Sequence, residues 1–131
     1  MERNEKTRAL LAAFGCALAY LLAGKALMAV LPQVPEEAAR MWAFVHRCAA
    51  APIVEELVFR GAIQQLARPL GERQAVALQA VLFAVQHRGP AGMAYALVCG
   101  LVLGTIRSRT GSVWPGMLLH TLNNLLVFAA G

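Results

Sequence analysis

Apolar positions gather into five runs, with short polar or breaker-rich segments between them. The first, 9–31, is 23 residues long and holds one charge, Lys25. That length spans a hydrocarbon core of about 30 Å. It is apolar on every face, unlike the one-sided stripe of a surface helix in a soluble protein. It exceeds a signal-peptide core, and no small-residue cleavage site follows, so the pattern predicts a retained helix. Lys25 is expected to line a bundle or to snorkel toward an interface. Residues 32–40, "PQVPEEAAR", read as a polar loop. A second helix is predicted over about 41–68, with a turn at 69–74. The third run, 75–87, stops at Arg88-Gly89-Pro90, a strong breaker. The fourth, 91–109, carries Gly100 and Gly104 at the G-x-x-x-G spacing that lets helices approach closely. Residues 110–112 form a turn, and the fifth run, 113–130, has Pro115 in its first turn, where proline is tolerated. The expected fold is all-α: a polytopic transmembrane helix bundle of about five membrane-spanning helices.

Composition supports that picture. Hydrophobic residues are 59% of the chain and charged residues 15%, against roughly 25% charged in soluble domains. The net charge is +5, but the twelve Lys and Arg are spread between apolar blocks. That spread argues against nucleic acid as a partner and for a topological use of the charge. With the N-terminus inside, Arg3, Lys6, Arg8, Arg60, Arg68, Arg73, Arg107 and Arg109 lie on or toward the cytoplasmic side. Only Arg40, Arg47 and Arg88 lie opposite, as the positive-inside rule asks. Cys16, Cys48 and Cys99 have no metal-ligand spacing and read as small apolar filler.

Polar groups within the apolar runs are few, and at membrane depth each charge costs roughly 2.5–3.5 kcal/mol or more. Helix two carries Glu55, Glu56 and Arg60; helix three ends with His87; helix five carries His120, Asn123 and Asn124. Glu56 and Arg60 are i and i+4, so they share a face and can pair. Glu55 lies about 100° around the helix and has no cation at i±3 or i±4. It is the carboxylate left free for chemistry. Phe83 and His87, and His120 and Asn124, repeat the i, i+4 spacing. At about 1.5 Å per residue, Glu55, His87, His120 and Asn124 can converge near the middle of a bilayer. A desolvated glutamate suits a general base acting on water. A histidine can orient that water, and a histidine with an asparagine can donate to an oxyanion. The same residues also allow a metal site made by Glu55, His87 and His120. Asn123, Gln64, Gln65, Gln79 and Gln86 read as interhelical or loop-facing groups. His46, Trp42 and Trp114 read as interfacial.

"EELVFR", "FAVQH" and "HTLNN" resemble, in order, the E-E-x-x-x-R, F-x-x-x-H and H-x-x-x-N motifs of the CPBP intramembrane protease family. That family takes in the type II CAAX prenyl endopeptidases and the Abi proteins. The motifs cover 51–124, more than half of the chain. The resemblance implies that Glu55 activates water beside His87, that His120 and Asn124 form the oxyanion site, and that Glu56 and Arg60 are a supporting pair. It implies an N-terminal helix and loop over 1–40 and a catalytic bundle over 41–131 within one membrane domain. It also implies an endopeptidase of the bacterial cytoplasmic membrane, acting on a membrane-associated or lipidated protein or peptide. The preferred chemistry requires no cofactor. The family is commonly labelled a metalloprotease family, so zinc or another divalent metal is the alternative. Family members usually carry more helices before the first motif, and a homo-oligomer is an expectation of that difference. A non-catalytic membrane protein of the bacteriocin-immunity or scaffold type, and a small proton-coupled transporter, are the competing functions.

Overall fold

The first apolar run folds as one unbroken helix, α1 (Glu2–Val30). The structure is a computed structural model and describes residues 2–131. Among the described residues there are four further helices and no strand: α2 (36–66), α3 (Glu72–Ala84), α4 (Gly89–Thr110) and α5 (Trp114–Ala129). In α1, burial falls on Ala9, Ala13 and Ala17, every fourth residue. These small side chains let its backbone lie close to α2, and Ala13 and Ala17 join the core of Phe59, Ile63 and Phe83. The larger residues Leu11, Leu18, Leu22 and Met28 point outward. Lys25 is exposed and borders a shallow groove with Tyr20 and Gln86.

The polar segment expected over 32–40 is shorter than the sequence suggested. Pro35 (φ −54°) directs the chain into α2, and Glu36 and Glu37 fill the first turn, where negative charge is favoured. Along α2, two stretches adopt π-helical bonding, His46–Ala50 and Glu56–Ile63. The Ala51 N–H bonds to the His46 carbonyl and the Gln64 N–H to that of Phe59, each five residues back. Pro52 accounts for the first stretch. It has no N–H to donate, and its ring forces the preceding turn open. Such turns are frequent at functional sites.

α2 ends in a short 3₁₀ turn, Arg68–Leu70, and Gly71 takes φ +109° ahead of α3. α3 starts three residues before the expected position and stops three residues early. His87 therefore sits in the turn after the helix, with its N–H bonded to the Ala84 carbonyl. The predicted breaker holds: Gly89 (φ +72°) opens α4 with Pro90 beside it.

The tightest contact joins α3 to α4. A Cβ on Gly100 would lie 2.9 Å from both Cα and Cβ of Ala80. Gln79, fully buried, donates through Nε2 to the carbonyls of Gly100 (2.7 Å) and Val76 (3.0 Å). Gln64 does likewise to the Gly104 carbonyl at 3.0 Å. Both glutamines are interhelical links, as their positions in apolar runs suggested. Gly100→Val is expected to destabilise the protein by about 1–3 kcal/mol through overpacking. Thermal unfolding in detergent reads this directly, and an unchanged midpoint would mean that the helices can part without loss.

Two of the five helices, α1 and α4, are long and apolar enough to cross a membrane. At about 1.5 Å per residue, α3 and α5 reach roughly 20 and 24 Å, less than a hydrocarbon core. Length and composition alone thus mark two candidate spans among the described residues.

Candidate active site

Glu55 closes the α-helical piece Ala51–Glu55, and Glu56 opens the second π stretch. The two carboxylates diverge, yet both meet His120 of α5. His120 Nδ1 is 2.8 Å from Glu56 Oε1, and Nε2 is 3.5 Å from Glu55 Oε2. A carboxylate accepts, so the short contact places N–H on Nδ1 and turns Nε2 toward Glu55. Arg60 Nη1 lies 3.0 Å from the same Oε1 of Glu56, and its guanidinium stacks 4.4 Å above the Phe83 ring. Glu56 is fully buried and Arg60 is 1% exposed. The i, i+4 pair anticipated from sequence is therefore present, and it carries His120 as a third member. Glu56 Oε2 has no hydrogen-bond partner and faces Gly116, where an added Cβ would come within 2.9 Å of it. A glycine is what lets α5 close on Glu56 at this point.

Phe83 organises the other side of the site. Its ring meets Phe59 at 5.1 Å, His87 at 4.6 Å and His120 at 5.9 Å, all edge-to-face. His87 Nδ1 is 3.0 Å from the Phe83 carbonyl. Donation to that carbonyl leaves Nε2 of His87 as an acceptor. Asn124 Nδ2 donates to the Arg47 carbonyl at 2.9 Å, and Asn124 Oδ1 receives Nδ2 of Asn123 at 3.3 Å. This contact ties α5 to the first π stretch of α2.

Glu55, His87, His120 and Asn124 line one cavity of about 810 Å³, with Val127 and Phe128 as apolar wall. Arg40, His46 and Arg47 border it as well. Sequence reading placed His46 at an interface and gave Arg40 and Arg47 only a topological role. It also missed Gly116 and the Glu56–His120 contact. A glycine four residues before His120 was the available signal for a close helix approach there.

Residues 37–126 match the family described as type II CAAX prenyl endopeptidase, Rce1-like. The chain belongs to this family. No curated protein and no solved structure matches it. The Rce1-like match takes in all three motifs and leaves α1 outside. The family is one of membrane-embedded proteases, which agrees with the two long apolar helices. Among the described residues no three His, Cys, Asp or Glu side chains are placed to hold a metal ion. The Nδ1 contact with Glu56 leaves Nε2 of His120 available, since a histidine that ligates a metal through one nitrogen commonly donates its other N–H to a carboxylate.

Proposed function

We propose that this Rce1-like chain is an intramembrane endopeptidase that hydrolyses a peptide bond of a membrane-associated or lipidated protein. The observation that supports this most is the single cavity shared by Glu55, His87, His120 and Asn124. In this reading the chain forms a polytopic bundle in a bacterial cytoplasmic membrane, N-terminus inside, and the site sits in the catalytic part, 41–131.

Glu55 takes a proton from water, and His87 Nε2 holds that water in line. The hydroxide adds to the substrate carbonyl. The second N–H of Asn124 and, with His120 as the doubly protonated imidazolium, the His120 Nε2–H stabilise the oxyanion. Glu55 then returns its proton to the leaving amine as the C–N bond breaks. Glu56 positions His120 throughout, with Arg60 paired to Glu56. Donors fixed before the reaction need no reorganisation during it, which is why such sites are effective. Chelation separates this scheme from a metal-dependent one. The test incubates the purified protein with a peptide bearing a prenylated cysteine near its C-terminus. The expected result is release of the C-terminal fragment, unchanged by a zinc chelator. Loss of activity on chelation, regained with zinc, would establish the metal version instead.

A non-catalytic role is favoured by one observation: the Asn124 side chain is engaged with the Arg47 carbonyl. In that reading His120 and Asn124 only tie helices together. No cleavage of any lipidated or transmembrane peptide, by well-folded protein, would select it.

A further inference from the structure

A second cavity lies beyond the Glu56–Arg60 pair, toward the end of the bundle opposite Glu55. It measures about 70 Å³ and is bordered by Arg60, Gln64, Arg68, Glu72, Arg107 and Ser108. The turn at 67–71 and the C-terminal end of α4 frame it.

Two of its arginines hold donors without acceptors, while Gln64 Oε1 at its wall is an acceptor without a donor. Arg60 is 1% exposed, and none of Nε, Nη1 and Nη2 has a hydrogen-bond partner. Glu56 approaches Nη1 to 3.0 Å as an opposite charge, but the alignment that a hydrogen bond needs is not met. Nε of Arg107 is also buried and unpartnered. Buried polar groups in folded proteins are nearly always satisfied, so unpartnered guanidinium donors around one cavity call for an acceptor. The charges agree. Glu56 offsets Arg60, and Glu72 is met by Arg68 at 3.5 Å and by the Ser108 hydroxyl. Among the described residues, Arg107 has no carboxylate within ion-pair distance, which leaves one positive charge uncompensated.

We infer that this cavity binds a tetrahedral phosphate-type oxyanion, either free phosphate or the phosphate of an anionic lipid headgroup. Guanidinium forks match the geometry of phosphate oxygens and bind them in pairs. A water's share of liquid volume is about 30 Å³, so the cavity holds roughly two waters or one such anion. Glu72 is the repulsive element at the rim, and Arg68 and Ser108 each engage one of its oxygens.

Thermal unfolding of the full chain in detergent tests the site. Sodium phosphate is compared with sodium chloride at equal ionic strength, and short-chain phosphatidylglycerol with phosphatidylcholine. A saturable rise in the midpoint with phosphate or phosphatidylglycerol is expected. A response to phosphate identifies the free anion as sufficient; a response to phosphatidylglycerol alone identifies the headgroup. Arg107→Gln should weaken the effect by about tenfold or more, the loss of a charge-assisted contact. Arg68→Gln, at an exposed side chain that can change without harm to the core, should weaken it in the same direction. Glu55→Gln should leave it unchanged. Absence of any shift beyond the chloride and phosphatidylcholine controls overturns the inference. So does native-strength binding in both arginine variants.

Discussion

Glu55→Gln is expected to lower kcat/KM for peptide cleavage by roughly a hundred- to ten-thousandfold, the range that a positioned general base contributes. The substitution keeps the shape of the side chain and removes its ability to take a proton. Stability should change little. The Glu55 side chain is partly exposed to the cavity (19%), and its contact with His120 is long, at 3.5 Å. The measurement is a fluorogenic peptide assay on purified protein, with unfolding recorded beside it. Retained activity in a folded Glu55→Gln protein would remove Glu55 from the chemistry and the proposed reaction with it.

The second large effect concerns Glu56 and Arg60. Glu56→Met should destabilise the protein by about 3–5 kcal/mol, because it leaves the Arg60 charge buried without its partner. The double change Glu56→Met with Arg60→Met should regain most of that stability, since an apolar pair of similar volume is often no worse than a buried ion pair. Activity should not return with it. His120 Nδ1 loses its acceptor in both variants, and nothing then fixes which nitrogen faces Glu55. Denaturant titration and the peptide assay together read the two halves of this expectation. If the double variant is as unstable as the sum of the singles, the pair does not act as a unit. If activity recovers along with stability, Glu56 has no orienting role.

The sequence carried the helices well where apolar runs were long and breakers strong. Gly89-Pro90 and the glycines at 100 and 104 are local signals with local causes, and the structure places a helix start and a close contact at them. Boundaries were less legible. Glu36 and Glu37 look like loop residues by polarity, yet they suit the first turn of a helix. His87 looks helical by its spacing from Phe83, but the tightened turn after Ala84 takes it off the helix. Pairing of Glu56 with Arg60 could be read because both lie on one helix, four residues apart. The bond from Glu56 to His120 crosses 64 positions of chain, and no periodicity along one helix encodes it. Neither does spacing reveal that Asn124 reaches the backbone at Arg47.

Insertions and deletions should be read differently from substitutions around residues 46–50. The Ala51 N–H reaches back five residues there because Pro52 offers no donor of its own. Removing one residue there would turn the upstream part of α2 by about 100° relative to Glu55. Arg40 and His46 would leave the rim of the cavity. The stretch thus acts as a counted spacer: the number of residues between the rim and the carboxylate decides which groups face the cavity.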